Sequence, residues 1–160
     1  MDKIKSFQRN HNEINPGLYL QEKKTIWIRK PEEGGDIYLE TYDLRFIKPN
    51  SKIIPIRVMH TIEHLFATYL KNKYSICVIS FCPGACQTMF YLEILNYSQS
   101  PWHVRAMIKD CIDWCLVQDK IPGATKEECG NYKSHDLDKA KQWLRIYKEV
   151  LDKNVSDFDE

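Results

Sequence analysis

The run DIYLETYDLRFI, residues 36–47, alternates its side chains with a period of two. Ile37, Leu39, Thr41, Asp43 and Arg45 fall on one side, and Tyr38, Tyr42, Leu44 and Phe46 on the other. Such alternation marks a strand with one face in a core and one turned outward, the habit of antiparallel sheets. TIWIRK (25–30) reads as a preceding strand, joined to it through Gly34 and Gly35 in a hairpin connection. YSICVISF (74–81) and TMFYLEILNY (88–97) flank the small-residue turn CPGACQ and make a second hairpin. Residues before about 25 read as irregular, because Pro16 and Gly17 interrupt any regular element.

Apolar spacing switches to a helical period in three places. Val58, Ile62, Leu65, Phe66, Tyr69 and Leu70 predict a helix over 58–73. A second follows Ser100 and Pro101, a good cap and first-turn pair, and extends to about Gln118. A third begins after Asp136, beyond the loop IPGATKEECGNYK. The expected fold is therefore α+β: an antiparallel sheet of about four strands in two hairpins, with helices packed on one face. No repeat or low-complexity linker divides the chain. Residues 1–160 are expected to form one domain, with 1–20 an N-terminal arm and 153–160 a frayed acidic tail.

Lysine and arginine total 23 against 22 acidic residues. So even a balance gives no general attraction to nucleic acid or to an anionic membrane, and neither is expected as a partner. No apolar run reaches the roughly 18 residues of a membrane span. MDKIKSFQRNHNE lacks a hydrophobic signal core, so a cytoplasmic protein with reduced thiols is expected, and the six cysteines become core residues, ligands or nucleophiles.

Within the first helix, MHTIEHLFA (59–67) places His60 and His64 four residues apart, on nearly the same helical face, with Glu63 beside the second. Two imidazoles so presented can chelate one cation and leave the carboxylate as a base. H-x-x-E-H is the inverse of H-E-x-x-H and is a metalloenzyme signature. The bland alternative is a partly exposed helix with hydrogen-bonded histidines. A catalytic centre usually takes three protein ligands and one open position, so a third must come from elsewhere. His11, His103 and His135 remain, as do the thiols. Cys111 and Cys115, amid Ile108, Ile112 and Leu116, read as buried apolar residues, and Cys77 as core. Cys129 in the polar loop EECGNY and Cys86 in the turn after Gly84 and Ala85 are freer to be aimed. Residue types alone leave the third ligand open between them.

YDLRFIKPN (42–50), HTIEHLFA, PGACQTMFYL and IPGATKEECGNYKSHDLDKAK together resemble the S-ribosylhomocysteine lyase family, LuxS, in the right order from SFQRNH (6–11) to the last helix. The resemblance implies a LuxS/metallopeptidase-like fold and a metal held by His60, His64 and Cys129, with water or a substrate oxygen as fourth ligand. The metal it implies is one divalent ion per chain, Fe2+, with Zn2+ or Co2+ able to substitute. It implies Glu63 and Cys86 as the catalytic acid/base pair. Ser6, His11 and Arg45 become groups around the ribosyl moiety, some contributed across a homodimer with shared active sites. The implied reaction moves the sugar carbonyl along the chain and then eliminates the thioether. Its products are homocysteine and 4,5-dihydroxy-2,3-pentanedione, the precursor of a quorum-sensing autoinducer.

The chain departs from the family pattern where S-P-M-G-C-R/Q-T-G is usual. It reads Cys82-Pro83-Gly84-Ala85-Cys86-Gln87-Thr88-Met89, so Ala85 and Met89 stand where the family has glycines. Ser80 replaces a frequent aspartate that can hold the substrate ammonium, and Lys71 a common arginine. A reshaped pocket and weaker recognition of the homocysteine end follow. Two alternatives therefore stand beside the lyase. One is a metal-dependent isomerase or hydrolase of different substrate; the other is a non-catalytic metal-binding homologue. Retention of Glu63 and Cys86, which holding a metal does not need, argues against the last.

Overall fold

Register fixes the sheet. In the computed structural model, which describes residues 4–28, 35–96 and 101–153, β1 (Gly17–Trp27) pairs antiparallel with β2 (Ile37–Arg45). β2 in turn pairs with β4 (Met89–Asn96), and β4 with β3 (Val78–Pro83). The order β1-β2-β4-β3 joins two hairpins through their second strands. Three long helices pack on the sheet: α2 (Ile56–Lys73), α3 (Pro101–Val117) and α4 (Leu137–Lys153), with a single turn, α1 (Lys5–Gln8), before them. The expected α+β architecture is present.

Two boundaries differ from expectation. β1 begins at Gly17, not near Thr25, because Leu18 is wholly buried and pairs with Leu44, and the Tyr147 hydroxyl donates to the Gly17 carbonyl at 3.0 Å. Tertiary burial there overrides the local turn chemistry of Pro16-Gly17. β3 begins at Val78 because Tyr74–Cys77 form a turn closing α2, with the Cys77 and Val78 N–H groups both donating to the Tyr74 carbonyl. Ser100, Gly34 and the SDFDE tail lie outside the described residues.

The alternation of β2 sorts the two faces. Tyr42, Leu44 and Phe46 enter the core, where Phe46 stacks on Tyr147 of α4 at 4.0 Å and 11°. Asp43 and Arg45 occupy the opposite face, opposite Tyr91 and Met89 of β4. Cys111 and Cys115 are fully buried between α3 and its neighbours, as is Met59 on α2. Among the described residues no helix is long and apolar enough to cross a membrane.

Two backbone bonds carry the core outward to the site. Ile54 N–H donates to the Gln87 carbonyl at 2.8 Å, and Phe46 N–H to the Thr88 carbonyl at 3.1 Å. They pin the start of α2 and the end of β2 to the turn that bears Cys86.

Candidate metal centre and thiol cavity

α2 buries Val58, Met59, Thr61, Ile62, Leu65 and Phe66 and leaves His60, Glu63 and His64 half-buried on the flank. Helical period thus puts the two imidazoles side by side, their ring centroids 4.7 Å apart and their planes at 82°. Each ring is fixed through Nδ1. His60 Nδ1 lies 2.9 Å from the Ser134 carbonyl, and His64 Nδ1 2.8 Å from the Pro122 carbonyl. A carbonyl only accepts, so both Nδ1 atoms carry the proton and both Nε2 atoms present lone pairs. Backbone carbonyls in this role are the usual orienting partners of metal-bound histidine.

The loop after α3 supplies the sulfur. Gly123, at φ +66, lets the chain turn against the His64 ring, where a Cβ would already sit 3.4 Å from Nδ1. A turn closed by Cys129 N–H on the Thr125 carbonyl aims Cys129 Sγ to 3.4 Å from His60 Nε2. A tetrahedral ion with bonds of about 2.1 Å to nitrogen and 2.3 Å to sulfur requires these atoms about 3.6 Å apart. The Asn131 N–H also donates to Cys129 Sγ at 3.4 Å and helps hold the sulfur in place. Donor type, tautomer and spacing all fit a divalent cation.

His135 joins this cluster, with all four ligand atoms within 4.8 Å of one another. Sequence reasoning counted it among the spare histidines without assigning it. The signal was its position just before Asp136, which caps α4 through the Lys139 N–H at 3.1 Å and donates its own N–H to Thr61 Oγ1 at 2.9 Å. That cap docks the His135 segment onto α2. The Thr61 hydroxyl proton goes to the Arg57 carbonyl, so His135 Nδ1, 3.3 Å from Thr61 Oγ1, donates as well. The His135 ring stacks on His60 at 4.0 Å and 22°. One ion cannot lie in the planes of two nearly parallel stacked rings, so His60 and His135 cannot both bind it, whereas His64 is edge-on to each, at 82° and 76°. Cys129 Sγ lies nearer His60 Nε2, at 3.4 Å, than His135 Nε2, at 4.0 Å, so the geometry favours His60, His64 and Cys129 as the triad. Burial, then His60, His64 and Arg57, push His135 down to about 4, which keeps its ring neutral.

Cys86 occupies a second locus. The turn from Gly84 to Gln87 is closed by the Gln87 N–H on the Gly84 carbonyl at 2.9 Å, and it exposes the Cys86 thiol. Cys86 Sγ lies 3.1 Å from Thr88 Oγ1 and 3.9 Å from Arg45 Nη1. Arg45 is fully desolvated: it donates to Thr88 Oγ1 at 2.7 Å and pairs with Asp43 Oδ2 at 2.5 Å. His11, with Nδ1 3.0 Å from the Arg9 carbonyl, and Arg9 line the same cavity of about 340 Å³, together with Asp43, Gln21 and Tyr91. Burial pushes the Asp43 carboxyl up, while Arg45, Arg9 and His11 pull it down. Ser6 lies in α1, and its side chain is outside the described residues.

Glu63 directly precedes His64 on α2, close enough to β3 for its carboxylate to act on Cys82. Burial, then the Glu93 and Glu63 carboxylates, raise the Cys82 thiol. Ser80, which stands where the family often has an aspartate, donates to Glu93 Oε2 at 2.7 Å. The structure therefore assembles the sequence-predicted residues in two groups: His60, Glu63, His64 and Cys129 on one side, and His11, Arg45 and Cys86 on the other. The metal-ligand cluster and the thiol cavity share no residue.

The family model for S-ribosylhomocysteinase (LuxS) matches residues 4–158. The chain belongs to the LuxS family. Its relatives include an S-ribosylhomocysteine lyase of Enterococcus faecalis, 31% identical over 98% of this chain and 95% of that protein. An S-ribosylhomocysteine lyase of Borreliella afzelii is 35% identical over 97% of this chain and 98% of its own length. One of Finegoldia magna is 35% identical over 94% and 92%. Full-length LuxS coverage is thus combined with identity low enough for local rebuilding.

The turn at Cys86 is one such place. Met89 is 1% exposed, and a Cβ built on Gly84 would come within 2.3 Å of its sulfur. Relative to the usual LuxS pattern, methionine and glycine have exchanged places across the turn. Neither Ala85 nor Met89 sits at positive φ; that conformation falls on Gln87, φ 56. Losing the family glycines therefore costs no backbone strain here, and the change to the pocket is one of filling.

Proposed function

We propose that this protein is an S-ribosylhomocysteine lyase, cleaving the thioether of S-ribosylhomocysteine to homocysteine and 4,5-dihydroxy-2,3-pentanedione. The observation that carries the reading is the pairing, in a LuxS chain, of a metal-ligand triad with a separate Arg45-supported thiol. A metal-stabilised relic would need the first and not the second.

The scissile C–S bond is not adjacent to the sugar aldehyde, so the carbonyl must first migrate by repeated proton removal and return. His60, His64 and Cys129 would hold one divalent ion, Fe2+ with Zn2+ or Co2+ able to substitute, which would supply Lewis-acid polarisation of the substrate oxygens. Cys86, beside the Arg45 guanidinium, removes and returns protons at carbon. Thr88 holds the thiol and guanidinium in register through its hydroxyl. Glu63, on the helical turn between the two ligands, moves protons between oxygens and protonates the departing sulfur. His11 and Arg45 bind the ribosyl hydroxyls, and Ser6 joins them from α1. When the carbonyl has reached C3, so that sulfur on C5 is β to it, loss of the C4 proton expels the thiolate, which takes its proton from Glu63.

The site is completed by a second copy of the chain. Phe7, in the lining of the Cys86 cavity, is 69% exposed, and Ile53, lining a second cavity that shares His11 and Cys86 with it, is 60% exposed. Apolar side chains so placed are covered in a homodimer, where the thiol cavity of one chain meets the metal triad of the other. The product is the precursor of a quorum-sensing signal, and the reaction is intracellular.

The test is release of free thiol from S-ribosylhomocysteine by anaerobically iron-loaded protein. Turnover that stops on chelation supports the lyase. Silence with metal bound transfers the reading to a different substrate on the same scaffold.

A further inference from the structure

Two buried polar atoms of the thiol cavity's lining residues have no hydrogen-bond partner among the described residues, Asp43 Oδ1 and Arg45 Nε, and of these only Asp43 Oδ1 is an acceptor. β2 sets Asp43 and Arg45 two residues apart on one face, and their contact uses only Oδ2. Asp43 is 3% exposed, and its Oδ1 is buried with no hydrogen-bond partner among the described residues. An aspartate kept only to hold an arginine ordinarily uses both oxygens in a fork. Leaving a buried carboxylate oxygen without a donor is costly and calls for a specific explanation.

The cavity supplies one. Arg9, His11 and Arg45 line it with donors, and Asp43 is the sole carboxylate among its lining residues. A sugar hydroxyl both donates and accepts, so the guanidiniums of Arg9 and Arg45 meet only its lone pairs, and a buried carboxylate oxygen is the strongest acceptor the lining offers for its proton. We propose that Asp43 is a further substrate-binding residue, its Oδ1 accepting a hydrogen bond from a ribosyl hydroxyl in the Cys86 cavity. This rests on the lyase reading above. The residue then does two things at once: Oδ2 holds Arg45 toward Cys86, and Oδ1 selects a hydroxyl-bearing carbon. Loss of a hydroxyl that a buried polar group expects is discriminated strongly, because the protein group is left unpaired.

Binding by metal-loaded protein carrying Cys86→Ala, which prevents turnover, tests the idea by calorimetry. The probes are S-ribosylhomocysteine and its 2-deoxyribosyl and 3-deoxyribosyl analogues. With Asp43 intact, one deoxy analogue binds about 10- to 100-fold more weakly than the parent. With Asp43→Asn added, that ratio collapses to about threefold or less. If Asp43→Asn weakens all three ligands by the same factor, Asp43 acts only through Arg45 and the proposal is overturned. Should Asp43→Asn fail to fold, the series with Asp43 intact decides alone: equal affinity for all three ligands overturns it. Wild-type protein that releases thiol from the parent yet shows no discrimination sinks this inference and spares the lyase. Wild-type protein that neither binds nor cleaves the parent sinks both.

Discussion

Gly84 and Met89 complement each other across the turn that carries Cys86: the Gly84 N–H donates to the Met89 carbonyl at 2.9 Å, and the Met89 sulfur fills the place of a Gly84 side chain. This makes a double-mutant cycle informative. Met89→Ala should cost about 2–5 kcal/mol by emptying a buried site. Gly84→Ala should cost about 1–3 kcal/mol by forcing the sulfur to move. Together they should cost less than their sum by about 1 kcal/mol or more, read from denaturant melts. Strict additivity would show that the two positions do not share space.

Carbon acid–base work by Cys86 has a direct readout. Cys86→Ala protein should keep its metal but no longer exchange substrate carbon-bound hydrogen in deuterated water, measured by NMR. Exchange at the wild-type rate would remove Cys86 from the mechanism. Thr88→Val should weaken but not abolish exchange, since it removes the hydroxyl between Cys86 and Arg45 and leaves both groups in place.

The homodimer proposed above, with each site divided between two chains, predicts complementation. Cys86→Ala and Cys129→Ala chains should each be inactive alone. Mixed one to one after dissociation, half the dimers are hybrids carrying one intact site of two, so thiol release should recover to about one quarter of wild type. No recovery despite confirmed subunit exchange would mean that both halves of the site lie in one chain.

These halves were unequally legible in the sequence. α2 wrote its own geometry, because buried Ile62, Leu65 and Phe66 fix the helical phase and so set His60 and His64 on one flank. The β2 alternation likewise sorted Tyr42 and Leu44 from Asp43 and Arg45. What escaped were features decided by distant packing. Gly17 begins a strand only because Tyr147 of α4 binds its carbonyl. His135 enters the metal cluster only because Asp136 caps α4 against Thr61 of α2. The incomplete bonding of Asp43 likewise depends on which side of Arg45 it meets, and no one-dimensional pattern encodes that.

His135 gives the metal-free protein a pH signature. Its folded pKa is lowered from 6.5 to about 4, chiefly by burial. The unfolded chain therefore takes up this proton first as pH falls. The contribution to stability is complete above about 6.5 and is lost toward pH 4. Thermal midpoints of metal-free wild type should drop more steeply across that window than those of His135→Phe, which keeps the stacking ring without titrating. Parallel curves would contradict a neutral buried ring.

Most direct for the whole account is metal content with cobalt as a spectroscopic probe. Wild-type protein should hold one Co2+ per chain and show thiolate-to-cobalt charge transfer in the near ultraviolet. Cys129→Ser should lose that band, His60→Ala and His64→Ala should lose most bound metal, and His135→Phe should retain both. A Cys129→Ser protein with full metal content and an unchanged band would contradict the arrangement from which the proposed chemistry is built.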